Sequence, residues 1–238
     1  MPAQQVQNVN IPPNTAVGYL AMQWSDGSWA YGSASMLDDR NLLTCSHNLV
    51  DQITEPPPRG YAIQVLFYPG YNQQSDVNPP PGGLQVGLGL YSNNFAAGQD
   101  AWDVAVLRLA EPVEVPPAYY FTPVVSGNEL VGENAFITGY PGPANGQMWE
   151  DRDDEVAGVH IPTNTLLYTL DTWPGNSGSP IWTYDAVQDT VSQHAVHVSR
   201  QAQELRRGVL ITQTIRGWID AALEVEDPEG AGFHLLGG

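Results

Sequence analysis

The sequence contains a single cysteine, Cys45, and no lysine among its 238 residues. One cysteine excludes an internal disulfide, so the fold must be held together by packing. Because the eight basic residues are all arginine and face 26 acidic ones, the formal net charge is −18. Such a chain is repelled by nucleic acid and by anionic membranes, and neither is an expected partner. An excess of acidic residues is typical of a highly soluble protein or of one adapted to a salty or acidic habitat.

Long apolar runs are also absent from the sequence. No run approaches the roughly 18 residues that a membrane-spanning helix needs. Residues 1–14 (MPAQQVQNVNIPPN) lack the basic and then apolar layout of a signal peptide. We expect a secreted protein in its mature form, and the sequence leaves a cytoplasmic location open.

Helical periodicity is confined to one segment, and the rest of the chain has the composition of a β protein. Glycine (24) and proline (20) are plentiful, whereas only 14% of residues are charged. Short apolar runs separated by turn residues predict a barrel or sandwich of many strands. The predicted strands are Val17–Gln23, Ser28–Leu37, Asn41–Cys45, Gly60–Tyr68, Leu84–Tyr91, Val104–Leu109, Ala135–Thr138, His160–Leu170, Ile181–Tyr184, Val191–Val198 and Val209–Thr212.

The exception is Gln213–Val225, where apolar residues recur at helical spacing and predict one amphipathic helix. Beyond it, Glu226–Gly238 is expected to be a loose tail. Glu111–Pro123 contains four prolines and follows a predicted strand, so it is the expected linker between two halves.

Two segments present a histidine and an aspartate beside strand-like runs. In Leu42–Val50 (LLTCSHNLV) such a run leads into a turn at His47. In Asp100–Leu109 (DAWDVAVLRL) Asp103 directly precedes an alternating apolar run. Taken alone, a histidine in this setting is more often structural, and such an aspartate usually forms a turn.

A serine in a third segment changes that interpretation. Asp171–Ile181 (DTWPGNSGSPI) contains Ser177, and Gly175 permits a tight turn that aims two backbone N–H groups at one point. The order is histidine, aspartate, serine, at intervals of 56 and 74 residues. That order is the one found in the chymotrypsin fold, and it differs from those of subtilisin and the α/β-hydrolases.

Together, these segments resemble the Thr-Ala-Ala-His, Asp-Ile-Ala-Leu-Leu-Arg-Leu and Gly-Asp-Ser-Gly-Gly-Pro signatures of chymotrypsin-like serine proteases. The resemblance implies an all-β fold of two six-stranded antiparallel Greek-key β-barrels with a C-terminal α-helix. The expected divisions are an arm over 1–14, barrels over 15–118 and 119–212, the helix over 213–225 and the tail over 226–238. It further implies a serine endopeptidase that acts on protein or peptide substrates, needs no cofactor or metal, and works as a monomer.

A narrower resemblance connects the chain to the bacterial glutamyl endopeptidases. It rests on Phe136–Gly142 (FITGYPG), Met148–Glu150 (MWE) and Tyr168–Pro180 with its NSGSP ending, and it extends over residues 15–222. Asn176 stands where animal digestive proteases have an aspartate that pairs with a newly formed N-terminus. Activation by that ion pair is therefore not expected.

Two positions depart from the family pattern. Cys45 stands where a small residue is usual, and we expect it to be a buried apolar residue rather than a nucleophile. Asn48 stands where relatives with disulfides have a cysteine.

The resemblance assigns each catalytic position a role. His47 would take the proton of Ser177 and later give it to the leaving amine, and Asp103 would fix the imidazole tautomer. The N–H groups of Gly175 and Ser177 would form the oxyanion hole. The reaction would pass through an acyl-enzyme.

The same resemblance predicts a preference for glutamate at P1, with aspartate as the second candidate. In glutamyl endopeptidases a threonine before the nucleophile and a histidine on the opposite wall hold the substrate carboxylate. Thr172 matches the threonine, and His197 matches the histidine better than His194, which alternation puts on the other face.

Two alternatives stay open. Asp171 stands where trypsin-like enzymes keep the carboxylate that binds Lys or Arg, so the first alternative is a P1 preference for basic residues, or for small ones, with the same mechanism. Val198 would line the same wall, and Arg200 would narrow the cleft or attract acidic substrates. The alternative from another class is a catalytically silent relative that binds peptides, although such relatives usually lack a triad residue.

Overall fold

The computed structural model describes residues 3–51, 60–73, 77, 79–114, 116–142, 146–200, 205–226 and 233–235; the side chains of 153, 154, 200 and 233–235 are outside that description. The strands are β1 (Gln4–Gln5), β2 (Val17–Trp24), β3 (Trp29–Met36), β4 (Asn41–Thr44), β5 (Val50–Asp51), β6 (Gly60–Pro69), β7 (Leu84–Ser92), β8 (Ala105–Leu109), β9 (Thr122–Pro123), β10 (Asn134–Gly139), β11 (Trp149–His160), β12 (Thr165–Tyr168), β13 (Pro180–Asp185), β14 (Thr190–Arg200), β15 (Arg206–Leu210) and β16 (Phe233–Leu235). The α-helices are α1 (Asn93–Ala96) and α2 (Gln213–Glu224).

Six strands of the first half close into an antiparallel barrel. Around it the order is β2, β3, β4, β8, β7 and β6, and β6 pairs with β2 to complete the circle. Among these six strands, β6 comes next after β4 along the chain, yet it lies beside β2 instead of beside β4. That return is the Greek-key connection.

The second half repeats this connectivity. Its strands run in the order β10, β11, β12, β15, β14 and β13, and β13 pairs with β10. Both sheets therefore have the architecture predicted from the sequence, namely six-stranded antiparallel Greek-key barrels.

Helix α2 closes a core that both barrels share. The predicted helix over Gln213–Val225 is confirmed apart from its last residue. The side chain of Thr212 caps it by accepting a hydrogen bond from the N–H of Ile215. The buried residues of this shared core come from β4, β7 and β8, from β14 and β15, and from the helix: Leu43, Cys45, Leu90, Val104, Val106, Val196, Val198, Val209, Ile211, Ile215, Ile219, Ala222 and Val225. In the described part of the chain, no helix has the length and hydropathy that crossing a bilayer requires.

Each end of the chain pairs with the barrel farther from it in sequence. Strand β1 of the N-terminal segment pairs with β11 of the second barrel. Strand β16, Phe233–Leu235, pairs antiparallel with β7 of the first barrel. The expectation of a loose C-terminal tail is therefore wrong for these three residues, whose backbones complete hydrogen bonds along a strand edge.

The longest strand, β11, was not predicted. Its sequence WEDRDDEVAGVH carries a run of charged residues that hides the alternation of a strand. Glu150 and Asp151 are nevertheless buried. The predicted strand over His160–Leu170 is correspondingly wrong at its start, because a turn with Asn164 in the left-handed region (φ 47°) separates β11 from β12.

Candidate active site

His47 lies in a short 3₁₀ turn, Ser46–Asn48, directly after β4. The hydroxyl of Ser46 donates a 2.8 Å hydrogen bond to the carbonyl oxygen of Val104, the residue before β8. Since β4 and β8 are paired neighbours, this bond fixes the turn against the segment that carries Asp103.

Asp103 contacts His47 through both carboxylate oxygens. Oδ1 accepts the backbone N–H of His47 at 2.9 Å, and Oδ2 lies 2.6 Å from its Nδ1. The Asp103 side chain is 7% exposed, against 25% for His47. Because an ionised carboxylate only accepts hydrogen bonds, Nδ1 must carry a proton, which fixes both the tautomer and the orientation of the ring.

Two opposing effects set the pKa of His47. Burial lowers it by disfavouring the charged imidazolium, whereas the negative charge of Asp103 and the hydrogen bond to it raise the pKa. The second effect prevails, and the pKa of His47 is raised well above 6.5.

Ser177 comes from the loop between β12 and β13, in the second barrel. Its Oγ lies 2.8 Å from Nε2 of His47. With the proton of the neutral ring on Nδ1, Nε2 is the nitrogen that can accept the serine proton. The structure thus brings together the three residues that the sequence pattern singled out.

Two glycines give the Ser177 loop its shape. Gly178 has a φ of +88°, and a Cβ there would lie 2.1 Å from the carbonyl oxygen of Ser33. Gly175 has a φ of +102°, and a Cβ there would lie 2.5 Å from the carbonyl oxygen of Tyr140. Any side chain at either position would meet both backbone strain and a steric clash.

Every carbonyl group of residues 173–177 accepts a hydrogen bond. Such complete pairing fixes the orientation of the successive peptide planes. The donors, in order, are Asn176 N to Trp173 (3.0 Å), Gly142 N to Pro174 (2.5 Å), Ser33 Oγ to Gly175 (3.0 Å), Ser179 N to Asn176 (2.8 Å), and both Ser33 N (2.8 Å) and Asn48 Nδ2 (3.1 Å) to Ser177.

The N–H groups of Gly175 and Ser177, by contrast, donate to no acceptor among the described residues. In a trans peptide the N–H points opposite to the C=O of the same plane. The bond from Gly142 to the Pro174 carbonyl therefore turns the Gly175 N–H the other way. Two unused donors on one loop are what an oxyanion requires.

Asn48 links the histidine turn to the serine loop. Its Nδ2 donates to Thr44 Oγ1 at 3.0 Å and to the carbonyl of Ser177 at 3.1 Å. Thr44 Oγ1 in turn donates to the carbonyl of Ser33 at 2.8 Å. At the position where relatives have a disulfide cysteine, this chain therefore has a buried amide that joins the two barrels.

Cys45 is fully buried, as expected, and its Sγ lies 3.6 Å from Nε2 of His47. Burial raises the pKa of the thiol, which keeps it protonated and unreactive. Cys45, His47 and Asp103 offer metal-ligand atoms within 4.8 Å of one another. The same histidine and aspartate atoms already form the hydrogen bonds to each other and to Ser177.

His197 lies against the serine loop and is held by a tyrosine. Its backbone N–H donates to the Ser179 carbonyl, and its carbonyl accepts from the Gly178 N–H, both at 2.9 Å. Nδ1 of the buried ring lies 2.5 Å from the hydroxyl of Tyr168. Thr172, five residues before Ser177, is also buried.

His194 occupies a different environment. Its Nδ1 lies 2.8 Å from Ser126 Oγ, and its Nε2 lies 2.8 Å from Thr183 Oγ1. Burial lowers the pKa of His194 to about 4, so the ring is neutral. Both ring nitrogens are thus bound to hydroxyl groups of the protein.

Asp171 is paired with an arginine of a neighbouring strand. Its carboxylate lies 3.8 Å from Nη2 of Arg206, and its side chain is 41% exposed. Its backbone N–H donates to Oδ2 of the buried Asp151 at 2.6 Å. The negative charge of Asp171 therefore already has a cationic partner within the protein.

The trypsin-like peptidase domain matches residues 32–187, about two thirds of the chain, and this span includes His47, Asp103 and Ser177. The chain belongs to the trypsin-like peptidase family.

Individual relatives agree with that assignment. The chain is 24% identical over 207 residues to a glutamyl endopeptidase of Bacillus licheniformis, covering 84% of this chain and 62% of that protein. It is 30% identical over 170 residues to a glutamyl endopeptidase of Staphylococcus epidermidis, covering 66% of this chain and 51% of that protein. The chain thus spans between half and two thirds of the length of these curated relatives.

A solved structure of a Glu endopeptidase in complex with MPD has the same fold. Its TM-score is 0.72 at 23% identity, with 93% of this chain and 96% of that chain covered. At this identity the likeness concerns the fold alone.

Val198 and Arg200 are the last two predicted pocket residues of this trypsin-like peptidase. The side chain of Val198 is buried in the shared core, so its backbone is the part left to meet a substrate. Arg200 ends β14, where it pairs with Arg206. The side chain of Arg200 lies outside the described part of the structure.

Sequence reasoning missed three residues that shape the site of this trypsin-like peptidase. Ser33 and Gly142 hold carbonyl groups of the serine loop, and Tyr168 holds the ring of His197. Gly142 and Tyr168 lie within segments that the resemblance already included, which was the signal available for them; Ser33 lies in none of those segments.

Proposed function

We propose that this chain is a serine endopeptidase in which Ser177 is the nucleophile, His47 the general base and Asp103 the residue that orients it. The observation that carries the proposal is the unbroken hydrogen-bonded series from Asp103 Oδ2 to His47 Nδ1 (2.6 Å) and from His47 Nε2 to Ser177 Oγ (2.8 Å). A serine hydroxyl is a weak nucleophile at its free pKa, and a base at this distance activates it.

In the proposed reaction, Ser177 Oγ attacks the peptide carbonyl carbon while His47 Nε2 takes the hydroxyl proton. The N–H groups of Gly175 and Ser177 bind the resulting oxyanion, a contact whose loss costs about 2.7–4 kcal/mol per donor in related sites. His47 then protonates the amine nitrogen as the C–N bond breaks, which leaves an acyl-enzyme. Water hydrolyses this ester by the same proton route.

Burst release from an activated ester tests the mechanism. The wild type should release one equivalent of product rapidly, and Ser177→Ala should release none while keeping its fold. A wild type without a burst would instead indicate a silent relative that binds peptides.

Treatment with a chelator and with a sulfonyl fluoride tests whether a metal takes part through the Cys45, His47 and Asp103 cluster. We expect the sulfonyl fluoride alone to abolish the burst. Loss of the burst on chelation would contradict a mechanism in which His47 acts only as a base.

We further propose that glutamate is the preferred P1 residue, with Thr172 and His197 binding its carboxylate. Three observations support this: both residues are buried beside the serine loop, Tyr168 fixes the His197 ring, and two curated relatives are named glutamyl endopeptidases. With the Tyr168 hydroxyl donating to Nδ1, the neutral ring presents an N–H at Nε2 to a carboxylate.

Basic P1 specificity through Asp171 is the competing proposal. The ion pair with Arg206 weighs against it, because a substrate cation would have to displace a cation of the protein. Mass spectrometry of the cut sites in a denatured protein, with Ser177→Ala as control, separates the two. Cuts after Glu support the Thr172 and His197 pocket, whereas cuts after Arg or Lys move the specificity to Asp171.

A location outside the cell is proposed from the family resemblance alone. Activity assays and immunoblots of culture supernatant and cell lysate of the source cells check it. Recovery of the protein in the lysate only would contradict export.

A further inference from the structure

Ser33 of β3 is a buried serine that bonds to the serine loop through its N–H and its hydroxyl, and to the neighbouring segments at Thr44 and Tyr140. Its N–H donates to the carbonyl of Ser177 at 2.8 Å, and its carbonyl accepts from Thr44 Oγ1 at 2.8 Å. Its Oγ accepts the backbone N–H of Tyr140 and donates to the carbonyl of Gly175, both at 3.0 Å. The side chain is completely buried, so water does not compete for these bonds.

The Oγ of Ser33 makes the one bond in the described structure that holds the Gly175 carbonyl. Gly175 has a φ of +102° and no side chain, so its flanking peptide planes rotate with little intrinsic resistance. The Gly175 carbonyl belongs to the Gly175–Asn176 peptide, which joins the peptide that carries the Gly175 N–H to the peptide that carries the Ser177 N–H. Rotation of this middle plane changes ψ of Gly175 and φ of Asn176, and the directions of the two N–H groups relative to each other depend on both angles.

We propose that the hydroxyl of Ser33 is a positioning group for the oxyanion hole, reaching from the first barrel to hold the Gly175–Asn176 peptide and with it the relative directions of the Gly175 and Ser177 N–H groups. This inference rests on the proposed function, because it assigns Ser33 a part in that same reaction. Ser33 touches no substrate atom; it acts through the backbone of Gly175. The bond from the Tyr140 N–H orients the hydroxyl itself. Because the Ser33 oxygen accepts that bond, its proton is directed to the Gly175 carbonyl.

Ser35 supplies a matched control on the same strand. It is also completely buried, lies on the same face two residues on, and its Oγ also joins the barrels, donating to Oε1 of Gln193 at 2.8 Å. Gln193 lies on β14 and makes no contact with the serine loop among the described hydrogen bonds. Ser35→Ala therefore removes a comparable buried bond without touching the Gly175 peptide.

Kinetics of Ser33→Ala and Ser35→Ala, with the burst as active-site titration, test the proposal. We expect Ser33→Ala to lower kcat about 10- to 100-fold with KM nearly unchanged, less than the roughly 10²–10³-fold loss on removing an oxyanion donor itself. A peptide boronic acid, whose tetrahedral adduct puts an oxygen in the hole, should lose affinity by the same factor. Ser35→Ala should leave kcat and the boronate affinity unchanged. Its melting temperature should fall about as far as that of Ser33→Ala.

The outcomes separate this inference from the proposed function. Unchanged kcat and boronate affinity in Ser33→Ala, or equal losses in Ser35→Ala, would overturn the role of Ser33 while the burst upheld the protease. A wild type without a burst would overturn both. If Ser33→Ala does not fold, Ser33→Gly removes the same hydroxyl together with its Cβ and is judged by the same two comparisons.

Discussion

His47 Nε2 and Ser177 Oγ lie 2.8 Å apart although 130 positions separate the two residues and each belongs to a different barrel. The hydrogen bond between them therefore reports on how the barrels sit against each other. Asn48 and Ser33 stabilise this relationship, because each bonds from the first barrel to a carbonyl of the serine loop of the second.

The pH dependence of kcat/KM should reflect the raised pKa of His47. Catalysis needs the neutral imidazole, so activity falls as the pH drops through this pKa, and the acid limb should lie above pH 6.5. Asp103→Asn removes the negative charge that raises the pKa, so the limb should shift to lower pH. The maximal rate should fall by about 10⁴. A pH–rate profile of both proteins checks this, and an unshifted limb in the variant would assign the titration to another group.

Substitution of His197 should change specificity, whereas substitution of His194 should not. We expect His197→Ala to lower kcat/KM for a P1 Glu substrate by about 10- to 100-fold, since it removes a buried donor to a charged group. The matched P1 Gln substrate should lose far less. His194→Ala is the control, because that ring is bound to Ser126 and Thr183. If both variants change the ratio of kcat/KM for the Glu substrate to kcat/KM for the Gln substrate equally, the assignment of His197 to the P1 pocket is wrong.

Removal of the Asn48 amide should weaken the junction between the barrels. Asn48→Ala leaves the Ser177 carbonyl and Thr44 Oγ1 with one donor fewer each, in a buried setting. The expected loss is about 1–3 kcal/mol in the free energy of unfolding. Urea denaturation measures it, with Asn93→Ala at the exposed first residue of α1 as a reference substitution. If Asn48→Ala lowers the free energy of unfolding no more than the reference substitution does, other bonds hold the two barrels together.

Salt should help this protein cleave acidic peptides. The net charge of −18 repels them at long range, and the Debye length shortens from about 10 Å at 0.1 M to about 3 Å at 1 M. We expect kcat/KM for a peptide with several acidic residues to rise with moderate salt. A peptide of the same P1 residue with neutral flanks should respond little. A clear fall for the acidic peptide would mean that a local positive patch dominates its binding.

The sequence was most informative where function depends on short local patterns. His47, Asp103 and Ser177 each sit in a segment whose neighbours are constrained by the same turn or strand, so their order alone indicated the fold and the chemistry. The choice of His197 over His194 as the pocket residue followed from the family resemblance, with alternation placing the two residues on opposite faces. The two rings have separate partners in the structure, and the role of His197 in binding stays a prediction.

Other features depend on contacts that no local pattern records. Ser33 lies in an ordinary strand sequence, and its importance comes from bonds to residues 107 and 142 positions away. Strand β11 was missed because charged side chains interrupt its alternation, yet Arg152, the Asp171 N–H and Thr138 satisfy the carboxylates of Glu150 and Asp151. Burial of a charge requires partners, and here Thr138 and the Asp171 N–H come from segments outside β11.

The pairing of each chain end with the opposite barrel has a consequence for a protein without disulfides. Strand β1 binds the second barrel through β11, and β16 binds the first barrel through β7. A single cut in the connection between the barrels would yield two fragments, each carrying one strand that belongs to the other. The exchanged strands and the shared core would hold the two fragments together, so the cleaved protein should remain a single complex.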